Sequence, residues 1–511
     1  MPERPTRSTL RSHGSLAWLV LCAALYSLPA SLHAEDPLYS KWITLADPLT
    51  PEDSRKTFRV PPGFDIELVA SEPDIYKPMN LAFDARGRLW ATTSIEYPLG
   101  NTEDRPSRDR VMIFEDRDGD GRPEHPIVFA EDLNIPIGLL PTDDGAIVYS
   151  IPKIEKFIDA DGDGRADERI VLYERFGRQD THGMVNGLTL GFDGWVYACH
   201  GFANISRIAN RAGDIVSLHG GASIRFRPDG SRFEVNTIGQ VNPFGMAEDA
   251  FGDHFSADCH SQPLYLLLRG GWYPNLGKPH EGLGFAPAFF NHRHSSTGIA
   301  GVAIYDADHF PKIYKGTVFT GNVVTNRIEH DRLERHGSSY KAHHLDDFLT
   351  SEDPWFRPVD LTIAPDGSLY IADFYNRIIG HYEVPLTHPG RDHDHARIWR
   401  VIYKAADRPP RARDLTQAVL DELIAELSST NIVVRKAAQR QIVARFGRAA
   451  VPQLRQALAD ARSPLRRTHA LWALHELGVL AISQLEMSAV DDALLVRVHT
   501  QRVLGATASL S

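Results

Sequence analysis

Cysteine is scarce in this sequence, with only three among its 511 residues. Beyond the amino-terminal leader only Cys199 and Cys259 remain, and the sequence leaves open whether they lie close enough to form a disulfide. Each precedes a histidine, which would suit a soft metal, but no C-x-x-C motif accompanies them. The absence of C-x-x-C-H excludes a covalently attached haem in this chain.

The sequence also lacks an excess of positive charge and, after residue 34, any long hydrophobic run. Its formal net charge of −11 argues against nucleic acid or an anionic membrane as the main partner. No apolar stretch long enough to span a bilayer follows the leader, so no membrane-spanning helix is predicted there. The length is too great for one compact core, and 39 glycines with 33 prolines favour a turn-rich β fold in two domains or a repeat.

The first 34 residues have the pattern of a secretory signal peptide. Basic residues from Arg4 to Arg11 precede a short apolar run, Leu16–Leu28, and Ala34 stands at a plausible cleavage site. The mature protein is therefore expected to be exported, periplasmic or extracellular, and at most membrane-associated through an uncleaved amino terminus. Residues 35–60 are rich in proline and charge and are predicted to be a linker.

One pattern recurs between residues 61 and 405: an apolar stretch, an Asp/Gly turn, then an alternating strand. The turn glycines are separated by 49 to 64 residues and stand at positions 87, 145, 194, 252, 316 and 367. Six units of about four strands each predict an all-β six-bladed β-propeller, with a set of unrelated hairpins as the alternative. The strand-like runs 64–70 and 397–403 are expected to pair and close the ring.

From residue 414 to residue 511 the pattern is helical and rich in alanine, leucine and arginine. Val434-Arg435, Leu465-Arg466 and Val496-Arg497 recur with a period of 31 residues, each after a polar turn. This resembles a small all-α HEAT-like solenoid of stacked helix pairs. Because three units are about the minimum for such a stack, we expect it to lean on the propeller or to dock another protein.

Two loops carry carboxylates at calcium-binding spacing. A glycine at the sixth position fits the first part of an EF-hand loop, but Ile127 and Ile170 stand where the final glutamate belongs. We therefore predict hairpin turns clamped by structural calcium, with ion-free Asp-Gly turns as the alternative. The candidate ligands are Asp116, Asp118, Asp120 and Glu124 in one loop and Asp159, Asp161, Asp163 and Asp167 in the other.

A reactive centre is predicted where the blades meet at the axial mouth of the propeller. His182 follows Asp180 in a polar loop before a hairpin, and histidine is the side chain best suited to proton transfer near neutral pH. Polar residues in such a loop also commonly do no more than satisfy backbone groups. Other histidines are potential metal ligands, with ordinary exposed loop histidines of an exported protein as the alternative: His292, His294, His343, His344, His388, His393 and His395.

Several runs resemble a family of membrane-bound dehydrogenase propellers, related to soluble glucose/sorbosone dehydrogenases that use pyrroloquinoline quinone (PQQ). They are R110VMIFEDRDGDG, Q179DTH, V241NPFG, W355FRPVDL and P365DGSLYIADFY, and the resemblance covers about residues 60–405. It implies that His182 takes the substrate's hydroxyl proton and that Asp180 orients this histidine. It further implies that Asn242, Arg357 and Asp373 hold the quinone, with calcium as Lewis acid.

The resemblance thus predicts an exported PQQ-type dehydrogenase that oxidises a sugar or an alcohol. Relatives often continue into a c-type haem domain, which this sequence lacks, so a c-type cytochrome or another acceptor would take the electrons. The alternative is a non-catalytic propeller that binds a glycan or a protein, with the helical tail as a docking module. A third hypothesis is a calcium-dependent lyase or lactonase.

Overall fold

A computed structural model of the chain describes most of it after residue 40. The described residues are 41–117, 123–124, 126–210, 212–274, 286, 289–290, 292–294, 296–380, 383–405 and 412–508. The predicted signal peptide and two of the predicted calcium ligands, Asp118 and Asp120, lie outside them.

The strands form six antiparallel sheets, here called blades 1 to 6. Blade 1 consists of Pro78–Phe83, Leu89–Thr93, Asp109–Phe114 and Ile127–Leu133. Blade 2 consists of Gly138–Thr142, Gly145–Ser150, Lys153–Ile158, Glu168–Glu174, Ile205–Asn210 and Ile215–His219. Blade 3 consists of Asn186–Leu190, Val196–His200, Ala222–Phe226 and Phe233–Ile238.

The other three blades complete the ring. Blade 4 consists, in its described part, of Pro243–Glu248, His254–Asp258 and Leu264–Leu266. Blade 5 consists of Ile299–Ile304, Thr317–Asn322, Arg327–His336, Ser339–His344, Leu349–Ser351 and Phe58–Arg59. Blade 6 consists of Pro358–Ile363, Leu369–Asp373, Arg397–Tyr403 and Phe64–Ser71. The first strand of each blade contacts the first strand of the next, and blade 6 contacts blade 1, which confirms the six-bladed propeller.

Ring closure joins the two ends of the propeller in one blade. Phe64–Ser71 pairs antiparallel with Arg397–Tyr403, as the sequence predicts, and becomes the outermost strand of blade 6. Trp399 on the partner strand is fully buried and packs edge-on against Phe58, with ring centroids 5.0 Å apart. Closure of this kind fixes the first and last blades against each other and removes free sheet edges.

The predicted linker is corrected in its second half, because part of it belongs to the propeller. A helix, Pro51–Thr57, begins at Thr50, whose side-chain oxygen accepts a hydrogen bond from the Asp53 amide. The strand Phe58–Arg59 then pairs with residues 350–351 of blade 5. Pro51 stands at the first helical position, where proline is favoured. The proline content that predicts a linker therefore reflects a helix start here.

The recurrent Asp/Gly turns all lie at one end of the propeller. In blade 1 the Asp84 carboxylate accepts hydrogen bonds from the amides of Arg86 and Arg88, and Gly87 adopts φ +83°. Glycine suits this left-handed position because it has no Cβ. Asp249 and Asp366 make equivalent turns in blades 4 and 6. The recurrent Asp/Gly pattern in the sequence therefore corresponds to a turn of the same geometry in these blades.

The carboxy-terminal part of the chain is helical and packs across the turn end of the propeller. Its α-helices are Leu420–Glu426, Ile432–Gln441, Val451–Leu458, Pro464–Glu476, Ile482–Ala489 and Leu494–Ala508, with π and 3₁₀ turns at Ile442–Phe446 and Gly447–Ala450. Their contacts pair helical residues with residues at or next to the propeller turns: Asn431 with Ala364 and Pro365, Arg435 with Asp306, Lys436 with Glu248, Arg502 with Asp253. The helices thus cap one end of the propeller; that they are HEAT repeats stays a prediction.

None of the helices in the described part of the chain combines the length and the apolar character needed to cross a membrane.

Candidate functional site

A cavity of about 200 Å³ lies on the propeller axis at the end away from the helices. It is lined by residues from the starts of the innermost strands and from the loops that follow the second strands, as well as by a covering segment. Its polar and aromatic lining includes Tyr97, His182, Asn242, Cys259, His260, Thr297, Arg357, Phe374, Arg391 and Asp392. Most of the lining is apolar, including Met79, Ile137, Phe244, Val323 and Val359, so charges that face this space are poorly solvated.

A cover formed by two distant segments closes the outer side of the cavity. Residues 42–49 run beside residues 374–380, and Ile43 and Ile378 form a β-bridge. The Ile379 amide donates to the Trp42 carbonyl at 3.0 Å, and Trp42 and Ile379 both line the cavity. No sequence pattern indicates this cover, because its halves lie more than 300 residues apart.

His182 and Asp180 lie together at the wall of the cavity. The Asp180 carboxylate is 3.4 Å from His182 Nδ1 and also accepts the His182 backbone amide at 2.9 Å. The Asp180 side chain is 1% exposed and that of His182 is 15% exposed. A carboxylate at Nδ1 favours the tautomer whose Nε2 is available to accept a proton. The arrangement can therefore serve a general base, as the sequence predicts for these two residues.

Asn242 lines the cavity but uses its side chain to hold the His182 loop. Its Nδ2 donates to the His182 carbonyl at 3.1 Å, and its Oδ1 accepts the Phe202 amide at 3.0 Å. A Cβ at Gly201 would come within 2.3 Å of this Oδ1, so the close approach needs glycine there. Asn242 therefore positions the candidate base.

Arg357 places a positive charge at the cavity wall. It is 4% exposed, donates from Nη1 to the Val323 carbonyl at 2.9 Å and from Nε to the Asn376 carbonyl at 3.2 Å. No carboxylate of the described residues comes within ion-pairing distance of its guanidinium. Burial lowers the pKa of Arg357 to about 10, so it stays charged at neutral pH. The charges of Asp373 and Asp353 attract this buried guanidinium but form no direct ion pair with it among the described residues, so it is suited to pair with an anionic ligand.

Asp373, which the resemblance assigns to the quinone, lies outside the cavity lining. Its carboxylate accepts hydrogen bonds from the Arg357 amide at 2.8 Å, the Tyr375 amide at 3.0 Å and Trp399 Nε1 at 3.0 Å. Burial raises the pKa of Asp373 to about 6. These contacts hold the backbone that carries Arg357, and they leave Asp373 behind the wall.

Two aromatic rings and a second arginine complete the cavity. The Tyr97 ring packs edge-on against His182 and Phe374, with centroid distances of 5.1 and 5.4 Å. Arg391 lies in the loop that follows the cover segment 374–380 and donates to the Val384 carbonyl at 2.9 Å. Nothing in the sequence singles out Arg391.

The two cysteines after the leader lie in or near the loops at the mouth of the cavity. Cys199 and Cys259 are both free thiols, and Cys199 lies outside the cavity lining. Burial raises the pKa of the Cys259 thiol to about 12, and its Sγ donates to the Ile299 carbonyl at 3.2 Å. Cys259 is thus a packed, protonated thiol and is unsuited to act as a nucleophile.

The two predicted calcium loops lie on hairpins of blades 1 and 2, away from the axial cavity. The strands Lys153–Ile158 and Glu168–Glu174 are paired on either side of the second loop, as predicted for a turn and unlike an EF-hand. Asp159, Asp161 and Asp167 each offer an oxygen within 4.8 Å of the others. Asp163 instead accepts the Arg165 amide at 2.8 Å.

The first loop shows the same type of turn in its described part. There Glu124 accepts the Arg117 amide at 2.8 Å, and the Glu124 amide donates to the Glu115 carbonyl at 3.1 Å. Asp116 lies between Glu115 and Arg117 in the same hairpin, which joins the paired strands Asp109–Phe114 and Ile127–Leu133.

The fold and the cavity define a six-bladed propeller with a covered axial site. The chain belongs to the family described as a domain of unknown function (DUF7133), whose model matches residues 50–405. No curated protein matches the sequence.

Several solved structures are similar at low identity. An oxidoreductase (glucose dehydrogenase) from Thermus thermophilus is 18% identical, with 66% of this chain and 100% of that chain covered and a TM-score of 0.43. The PQQ-bound aldose sugar dehydrogenase from Streptomyces coelicolor is 15% identical, with 67% and 99% covered and a TM-score of 0.41. The apo aldose sugar dehydrogenase from Escherichia coli is 16% identical, with 66% and 99% covered and a TM-score of 0.39. At these values the likeness supports no inference about activity.

A buried ion pair beside the cavity predicts a pH dependence of stability. Lys77 is fully buried, pairs with Asp392 and donates to the Tyr375 carbonyl at 2.6 Å. Burial lowers the pKa of Lys77 from 10.5 to about 8, against the attraction of Asp392. Between about pH 8 and pH 10.5 Lys77 binds more protons in the unfolded chain than in the folded chain. The contribution of Lys77 to the free energy of unfolding therefore rises with pH in this range.

We expect wild type to gain stability over the double variant Lys77→Met/Asp392→Asn between about pH 8 and 10.5, with a slope approaching about 1.4 kcal/mol per pH unit. Urea unfolding at a series of pH values measures this difference. The exposed Lys312→Met variant should run parallel to wild type. A wild-type curve parallel to that of the double variant would contradict the assignment.

Proposed function

We propose that the axial cavity binds a carboxylate-bearing quinone of the PQQ type and that the protein oxidises a sugar or an alcohol there. The observation that carries the proposal is the presence of two complementary groups on one apolar cavity. Arg357 supplies a buried positive charge without a carboxylate partner, and His182 supplies a base held by Asp180. The motif resemblance over residues 60–405 supplies the reaction class.

The charge and the aromatic character of the cavity residues fit such a cofactor. PQQ is a flat, fused-ring quinone with three carboxylates, and Arg357 and Arg391 are suited to planar carboxylates. The Tyr97 and Phe374 rings offer aromatic surface beside it. The cavity volume of about 200 Å³ is below the roughly 300–1,000 Å³ of most ligand sites. Entry of the cofactor therefore requires the cover formed by residues 42–49 and 374–380 to shift.

The cofactor, when bound, supplies a two-electron acceptor for hydride. The protein contributes the proton acceptor: His182 Nε2 takes the hydroxyl proton of the substrate, and the Asp180 carboxylate stabilises the resulting imidazolium. Asn242 fixes the backbone of the His182 loop through the His182 carbonyl. The apolar lining and the cover exclude water, which strengthens these electrostatic interactions.

Separate variants distinguish binding from chemistry. Arg357→Met removes a charge-assisted contact worth about 1.5–3 kcal/mol and should weaken PQQ binding roughly 10- to 150-fold. His182→Gln should bind PQQ nearly as wild type does but oxidise sugars roughly 10²- to 10⁴-fold more slowly. Isothermal calorimetry of the full-length, calcium-loaded chain gives the affinity, and reduction of an artificial acceptor with a panel of aldoses gives the rate.

Two exposed residues provide matched controls. Arg86 lies in a turn at the helical end, and His336 lies at an outer hairpin of blade 5. The variants Arg86→Met and His336→Gln should therefore bind PQQ and oxidise sugars as wild type does. No binding of PQQ at high micromolar concentration would exclude the cofactor. Binding of a glycan that is independent of quinone would then favour the non-catalytic propeller.

We also propose that the loop 159–167 holds a structural calcium ion. Oxygen ligands from Asp159, Asp161 and Asp167 lie close together, and calcium prefers carboxylate and carbonyl oxygens. Calcium should raise the thermal midpoint of wild type and of Asp47→Asn, an exposed control, but have a smaller effect on Asp161→Asn. An equal calcium response in all three proteins would contradict this site.

The location and the electron acceptor follow as proposals from the sequence. We infer an exported protein that passes electrons to a separate acceptor such as a c-type cytochrome. Fractionation of the native host and detection of the chain outside the cytoplasm would test the export, and an exclusively cytoplasmic chain would contradict it.

A further inference from the structure

We propose that His292, His294, His344 and Asp331 bind one zinc ion beside blade 5. Asp331 lies in the third strand of this blade, Arg327–His336, and His344 ends the neighbouring strand, Ser339–His344. His292 and His294 precede its innermost strand. One ligand atom from each of the four residues lies within 4.8 Å of the others.

The distances between these side chains are those of a set of ligands. Asp331 Oδ1 is 2.7 Å from His292 Nε2 and 3.5 Å from His344 Nδ1, and Asp331 Oδ2 is 3.0 Å from His294 Nε2. Zinc with bonds of about 2.0–2.1 Å in tetrahedral geometry holds its ligand atoms roughly 3.3 Å apart. The observed distances bracket that value, so an ion can enter with small movements.

The three imidazole rings surround one point. Their centroids are 5.2 Å apart for His292 and His344, 5.5 Å for His294 and His344, and 5.8 Å for His292 and His294. This is a nearly equilateral triangle, with Asp331 in contact with each member. Packing of the rings against one another does not by itself explain why all three converge on the carboxylate of Asp331.

Glu329 supplies the outer support that metal-binding histidines commonly have. Its Oε2 is 2.9 Å from His294 Nδ1, and its Oε1 accepts a hydrogen bond from Asn322 Nδ2 at 3.1 Å. A carboxylate on Nδ1 directs Nε2 toward the ion. The His294 ring is therefore oriented with Nε2 toward Asp331.

Burial indicates that this arrangement serves a ligand. The His294 side chain is 0% exposed and that of Asp331 is 1% exposed. Asp331 Oδ2 and both ring nitrogens of His294 make no hydrogen bond of good geometry, and Oδ2 faces His294 Nε2 at 3.0 Å. Buried polar atoms without such partners are costly, and a coordinated cation would satisfy Oδ2 and Nε2.

The donor set selects the class of ion. Three imidazoles with one carboxylate suit a divalent transition metal and are unlike the all-oxygen sites of calcium or magnesium. Four protein ligands fill a tetrahedral shell and leave no open position, so the ion is structural. It would tie His294 to the outer strands of blade 5, close to Thr297 in the wall of the axial cavity.

Adjacent histidines on one strand give a matched test. His344 is half-exposed, so His344→Ala is expected to fold, and His343 is equally exposed but pairs with Glu334 outside the cluster. The full-length chain, without a histidine tag, is stripped with chelator and titrated with zinc by calorimetry. Wild type and His343→Ala should bind one zinc per chain, and His344→Ala should bind at least about 100-fold more weakly, because loss even of outer-shell partners costs 10- to 100-fold.

Cobalt substitution provides a second measurement that does not depend on a variant. The wild-type chain with one cobalt(II) should show the intense visible bands of a tetrahedral ion. Absence of zinc binding, equal affinity in His343→Ala and His344→Ala, or an octahedral cobalt spectrum would each overturn the proposal. Metal content, and not oxidation of a sugar, is the readout, so the outcome is independent of the proposed quinone function.

Discussion

The pairing of Phe64–Ser71 with Arg397–Tyr403 is the constraint on which the rest of the propeller depends. It fixes blade 6 against blade 1 and buries Trp399, whose indole donates to Asp373. Asp373 in turn accepts the backbone amide of Arg357, the buried cation of the axial cavity. A chain of contacts therefore connects the closure of the ring to the position of the charge at the wall of the axial cavity.

The two ends of the propeller have different roles because different residues form them. The Asp/Gly turns at one end present carboxylates and carbonyls, and basic side chains of the helical region, such as Arg435 and Lys436, pair with acids there. The other end collects strand starts, loops and the cover around a mainly apolar cavity. The proposed small-ligand site is at this covered end, because Arg357 and the His182–Asp180 pair lie there.

The sequence predicts what is local or periodic. Six blades follow from a turn repeated at a long period, and the pairing of His182 with Asp180 follows from their spacing in one loop. The cover and the Lys77–Asp392 pair depend on contacts between residues more than 300 positions apart, for which one sequence gives no signal. The assignment of Asp373 to the quinone stays a prediction, and its hydrogen bonds to the Arg357 and Tyr375 amides and to Trp399 could not be read from its motif position. The histidines were visible, but only the pairing within blade 5 shows which of them converge.

The most direct measurement of the central claim is a crystal structure of the chain grown with PQQ and calcium. The account predicts density for the quinone inside the axial cavity, with a carboxylate against Arg357 and His182 at its edge, and a shifted cover. Quinone bound elsewhere, or a cavity that holds only water under saturating quinone, would contradict it.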